Sequence, residues 1–138
     1  MDKEKEAKLK EKYTELRIID QNIRQIQQRM QDLENQILEI MYVQQSLDDL
    51  KDVEVGKEIL VPVSSGIFAK ATLKENNELL VNVGANTVVK KDVNSVKKML
   101  EENINEIKKL ETRFLQDLQK LSMRAAEIEK EMNSLIAK

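Results

Sequence analysis

The sequence has no cysteine, no histidine and no tryptophan, and only 3% of its 138 residues are aromatic. Without cysteine there is neither a disulfide framework nor a thiolate metal site. Without histidine the chain also lacks the commonest metal ligand and the side chain best suited to proton transfer near neutral pH. Few aromatics leave little of the bulk on which a compact core leans. Glycine occurs three times and proline once. Gly56, Gly66 and Gly84 stand apart from one another, so no glycine-rich loop could cradle a phosphate. Neither sign of charge dominates: 23 basic against 25 acidic residues give a net charge of −2. Nucleic-acid binding needs a basic face, and none is expected here. No apolar run approaches the roughly 18 residues of a membrane span. The first residues are charged rather than an apolar signal core. The chain is expected to be cytoplasmic, off the membrane and free of cofactors. Catalysis would have to rest on carboxylates, lysines or hydroxyls. Asp48–Asp49 and Glu101–Glu102 are tempting pairs, but adjacent residues on a helix do not share a face. The chain is not expected to be an enzyme.

What the chain does contain is charge, at 35% of residues, interleaved with aliphatic side chains in a repeat of seven. In the first arm one column holds Leu9, Leu16, Ile23, Met30, Ile37 and then Gln44. A second, three residues on, holds Lys12, Ile19, Ile26, Leu33, Ile40 and Leu47. From Leu16 to Ile40 every slot is apolar, the signature of a coiled coil. The last arm repeats the pattern in Val93, Leu100, Ile107, Phe114, Leu121, Ile128 and Leu135, with a less regular companion in Val96, Ile104, Leu110, Leu118, Ala125 and Met132. Neither arm contains glycine or proline, and Asp92 is placed to cap the second helix.

A single antiparallel register serves both arms. It sets Leu9 against Leu135, Leu16 against Ile128, Ile23 against Leu121, Met30 against Phe114 and Ile37 against Ile107. The second column agrees, with Ile19 facing Ala125, Ile26 facing Leu118 and Ile40 facing Ile104. Helices that dimerised separately would not need this agreement, so an intramolecular hairpin is expected, with both chain ends at its open end.

Between the arms, four short strands are expected near Ile59–Val63, Ile67–Lys74, Leu79–Val83 and Thr87–Lys90. Breaks fall at Ser64–Gly66, Lys74–Glu78 and Gly84–Asn86. Pro62 cannot donate to a ladder and belongs at an edge or a bulge. Leu79–Leu80–Val81 and Val88–Val89 put apolar groups on both faces of their strands. A two-helix coil has no body to cover them, and exposed strand edges invite pairing with other chains. The insert therefore reads as an assembly element, carried by Ile59, Val61, Val63, Ile67, Phe68, Leu79, Val81, Val83, Val88 and Val89. The fold class is mainly α with a small β insert in one domain: a first helix over 1–52, a β-hairpin region over 53–91 and a second helix over 92–138.

The order helix, paired hairpins, helix, with "VPVSSGIFAKATL" (Val61–Leu73) followed by "LLVNVGANTVVKK" (Leu79–Lys91), resembles the α class of the prefoldin family over the whole chain. Two hairpins match that class, whereas the β class has one. The archaeal α pattern usually reads VPVGAGSF and VSVGAG; here Ser64, Ser65 and Asn82 depart from it, and Asn86 replaces a glycine. The resemblance implies an ATP-independent holdase chaperone. Its hairpins would join those of β-class subunits, two α with four β, in a β-barrel platform. Its coiled-coil tips would hold unfolded proteins and deliver them to a group II chaperonin in the cytosol. At the open end Leu9, Tyr13, Leu16, Ile128, Met132, Leu135 and Ile136 are the candidate client-binding residues, with Tyr13 and Ile136 lying off the seam columns. The rival reading is a structural or tethering coiled coil that binds one folded partner through its β head.

Overall fold

The structure, a computed structural model, describes residues 2–137; Met1 and Lys138, at the ends of the expected helical segments, lie outside the described residues. Six elements follow in order: α1 (Lys3–Lys51), β1 (Glu58–Ser64), β2 (Ile67–Thr72), β3 (Glu78–Asn82), β4 (Val88–Asp92) and α2 (Val93–Ala137). Two compact units divide them. One unit, outer in the order of the sequence, joins the residues up to Gln36 with those from Glu106 onward; the other, inner in that order, spans Ile37–Asn105.

In the outer unit the arms run antiparallel. Lys12 Nζ lies 2.7 Å from Glu131 and Arg124 Nη2 lies 2.9 Å from Glu15. Deeper in, the Arg29 guanidinium sits 5.5 Å from the centre of the Phe114 ring. As numbers rise on α1 they fall on α2, in the register the two columns predict. Ile19, Leu33 and Ile128 are buried in this stretch of seam, and Ile23, Ile26, Met30, Phe114, Leu118 and Leu121 are half-buried. Two helices can enclose only a narrow strip, so most column residues keep one edge in water. Each fully buried aliphatic contributes about 1.5–3 kcal/mol, so the many half-buried positions supply stability in small increments along the seam.

The inner unit repeats the register. Gln44 Nε2 donates to Glu101 at 3.2 Å, Lys97 pairs with Asp48, and Lys51 Nζ donates to Asn94 at 3.0 Å. Ile37, Val96 and Ile104 are buried, together with Leu73 and Val93 where the hairpins meet the helix ends. Asp92 stands immediately before α2, in the N-cap position, and the Ser95 hydroxyl beside it is the main cause that holds its carboxyl below the usual carboxylate range. The first helix is capped likewise, by Asp2 Oδ1 accepting from the backbone N–H of Glu4 at 2.7 Å.

The strands form two separate two-stranded antiparallel sheets, β1 with β2 and β3 with β4. Pro62 pairs with Phe68 and Ser64 with Ile67, so Val63 is the extra residue of a bulge beside the proline. β2 ends at Thr72, two residues short of the sequence expectation. Leu73 turns inward and is buried, while its backbone continues the pairing differently, donating to Lys57 at 2.9 Å and accepting from Gly56 at 2.7 Å. At its far end β4 runs on to Asp92, where the strand passes directly into the capped start of α2. The β3–β4 turn has Ala85 at φ 50° and Asn86 at φ 59°, with Thr87 N–H donating to Gly84 C=O at 2.9 Å. Two successive positive φ values with that bond make a type I′ turn, whose twist suits a hairpin. Asn tolerates the left-handed region better than most residues, which explains how Asn86 can stand where the pattern this segment resembles has glycine.

Candidate functional site

Partners across an antiparallel ladder share a face, so the pairing sorts the hairpin residues. In β1–β2, Ile59 pairs with Ala71 and Val61 with Ala69 on one face, while Leu60 pairs with Lys70 and Pro62 with Phe68 on the other. In β3–β4, Leu79, Val81, Val89 and Lys91 form one face and Leu80, Val88 and Lys90 lie on the other. Ile59, Ala71, Leu79, Val81, Val89 and Lys91 are half-buried within the chain. The opposite faces carry apolar groups in open solvent: Leu80 is 71% and Phe68 58% exposed, and Val88 is exposed on the same face as Leu80. Val61, Val63, Ile67 and Val83 are exposed too. Large exposed apolar side chains gathered on short hairpins mark interaction surfaces.

Of the candidates near the chain ends, Tyr13 and Ile136 are 65% and 61% exposed, as their places off the seam columns predict. Leu9, Leu16, Met132 and Leu135 are half-buried between the arms. Ile128 is fully buried, so the structure gives it to packing rather than to an open surface. Tyr13 and Leu16, with Arg17, line a shallow depression of about 240 Å³.

Between these residues lies a group that sequence periodicity did not single out. Arg124 places Nε 3.0 Å and Nη2 2.9 Å from Glu15 Oε1, and Nη1 3.2 Å from Glu127 and 4.0 Å from Glu131. The Lys12–Glu131 pair completes the layer. Its hydrogen bond holds the Lys12 ammonium above its ordinary pKa and the Glu131 carboxyl below its own. The available signal was Lys12 itself, a charge in a slot that later turns of the same column fill with isoleucine or leucine. The outward-facing Leu38, Met41 and Tyr42 of α1, all exposed, also lie off the columns and carried no signal of pairing. Among the described residues there is no group of three or more acidic, histidine or cysteine side chains placed to hold a metal. Among them, too, no helix is long and apolar enough to cross a membrane.

An antiparallel coiled coil whose helices are joined by two β-hairpins with uncovered apolar faces defines a class of oligomer-forming helical proteins. The family model described as prefoldin subunit matches residues 19–138, and the chain belongs to the prefoldin family, a family of chaperones. Among the proteins it is similar to are archaeal prefoldin α subunits. Prefoldin subunit alpha of Thermofilum pendens is 30% identical over 95 residues, 69% of this chain and 71% of that one. That of Methanobrevibacter smithii is 31% identical over 97 residues, 70% of this chain and 66% of the other. The fold is also that of a chain in the cryo-EM structure of filamentous PFD from Methanocaldococcus jannaschii. There the TM-score is 0.81 at 20% identity, with 86% of this chain and 98% of that chain covered.

Proposed function

We propose that the chain is an α-class subunit of a hetero-oligomeric holdase that captures unfolded proteins without ATP and passes them to a group II chaperonin in the cytosol. The observation that carries this reading is the exposed apolar face of each hairpin, centred on Phe68 and on Leu80. Exposed strand edges with apolar faces are completed by strands of other chains, and in this family those chains are β-class subunits. Two α and four β subunits would bury the hairpins in a shared platform and leave the helical arms free. The exposed Tyr13 and Ile136, with the half-buried Leu9, Leu16, Met132 and Leu135, supply the apolar contacts for clients. A single arm offers few of them and binds weakly after the cost of association. Several arms around one client raise the total through effective concentration.

The test is to mix the chain with a β-class prefoldin subunit, weigh the product by native mass spectrometry, and follow aggregation of two unrelated unfolded proteins without nucleotide. A discrete complex of two α and four β that protects both clients is the expected result. A complex that protects neither, yet binds one folded protein tightly, would replace the chaperone by a tether. Assembly of the chain alone into filaments would remove the β-class partner from the reading; the M. jannaschii structure is described as filamentous.

A further inference from the structure

The layer of Lys12, Glu15, Arg124 and Glu131 divides the outer seam into two unequal parts. Toward the middle of the helices the seam is continuous, and Ile128, bracketed on α2 by Arg124 and Glu131 of the layer, is fully buried. Ile128 lies one turn from both Arg124 and Glu131 on the same helical face. Toward the chain ends, among the described residues, α1 contributes one apolar seam residue, Leu9, flanked by Lys5 and Lys12 in the companion column. Against it stand Met132 and Leu135, all three half-buried, and beside them the exposed Ile136. A charged side chain in a coiled-coil seam fixes register and costs stability, so the segment beyond the layer is held by few apolar contacts. The layer itself is better placed than an ordinary surface pair, because Arg124 reaches Glu15 with two nitrogens and joins a network of several charges. The arrangement is a weakly closed end mounted on a pinned, well-packed seam.

We propose that this charged layer is a stop for opening of the coil: the segment outside it opens as a unit and presents Leu9, Met132, Leu135 and Ile136 to an unfolded chain, while the seam inside it stays closed. Lys12 and Arg124 are positioning residues that decide how much apolar surface a client meets. This rests on the reading that clients bind at the helix ends, but the opening itself does not.

Amide hydrogen exchange on the full chain, in the assembly it forms, reads the opening directly. The expected profile on α2 is a step, fast beyond Ile128 and slow before it. Lys12→Leu joins Leu9 to the inner seam; exchange over 129–137 should slow by about fivefold or more, the effect of roughly 1 kcal/mol, and client protection should weaken. Arg124→Gln removes the centre of the network; fast exchange should spread inward past Ile128 and client capture should strengthen, with Arg124→Lys partly restoring the step. Opposite effects of two changes in one layer are not what loss of packing would give. A smooth gradient without a step, or unchanged exchange in Lys12→Leu, overturns the stop. Exchange that responds as described while client protection does not move leaves the stop standing and overturns client binding at this end.

Discussion

The side-chain amide of Asn76 donates to the backbone carbonyl of Val53 at 2.9 Å, and reaches that of Lys51 at 3.5 Å. The last carbonyls of a helix have no partner within it; Asn76, in the connection between the two hairpins, reaches that of Lys51 and ties down the turn just beyond α1 through Val53. Asn76→Ala should lower stability by about 1 kcal/mol, the net worth of one such bond. Asn76→Asp should be no better, since a carboxylate offers these carbonyls no donor. Thermal unfolding followed by circular dichroism checks both; an unchanged midpoint in Asn76→Ala would remove Asn76 from the end of α1.

The antiparallel register makes a second prediction in the outer unit. Cysteines in place of Ile23 and Leu121 should oxidise to an intrachain disulfide, which requires Cα atoms within about 7 Å. The chain has no native cysteine to compete. Gel mobility under oxidising conditions distinguishes this from dimers, and predominant dimers would contradict the pairing.

Two carboxyls give the stability profile opposite slopes. Partial burial, then the hydrogen bond and charge of Glu34, push the Glu111 carboxyl above its ordinary 4.5. A raised carboxyl stabilises the fold fully below its unfolded pKa, and that contribution is lost as pH rises through the folded one. Glu111→Gln should therefore raise the melting midpoint slightly near neutral pH and give no gain at about pH 4. Asp92 runs the other way. Its cap to Ser95 lowers its pKa from 3.8, so its contribution is present above that value and disappears as pH falls through the folded one. Asp92→Ala should cost stability at neutral pH and little at the acid end, read from the same melts.

For assembly, Val81 and Val83 are the informative pair, one half-buried and the other exposed at the turn end of β3. Replacing both by lysine should abolish higher assembly with little loss of helical signal, since neither side chain belongs to the helical seam. Sedimentation velocity gives the size and circular dichroism the helicity. Wild-type assembly by the double variant would clear β3 of a role in it.

The seam was legible because burial repeats with the helix: the columns beginning at Leu9 and Val93 are half-buried or buried throughout, and Asp92 and Pro62 stand where capping and ladder chemistry put them. Less was visible where a side chain acts across the chain rather than along it. Nothing periodic marks Asn76 as a cap for α1, because its partner is a backbone carbonyl more than twenty positions earlier. The end of β2 was misplaced because alternation continues through Leu73 and Lys74, while the backbone turns to bury Leu73. The candidate client-binding set also mixed two kinds of residue. Column membership separates Ile128, which is buried, from Tyr13 and Ile136, which are exposed. Lys12 was visible as an odd member of its column, but its meaning depended on finding Glu131 and Arg124 opposite.

The pairing of Lys12 with Glu131 also imposes an order on biosynthesis. More than a hundred residues separate Lys12 from Glu131, so the charged layer cannot form until that whole stretch has been made. Asp48 meets Lys97 far sooner and closes a much shorter loop, at lower entropic cost. The helices can therefore join first beside the hairpins and zip outward. Until the stretch around Ile128 and Leu135 is made, the nascent chain carries Leu9 and Leu16 without their partners, and a member of a chaperone family passes part of its own synthesis with apolar surface uncovered.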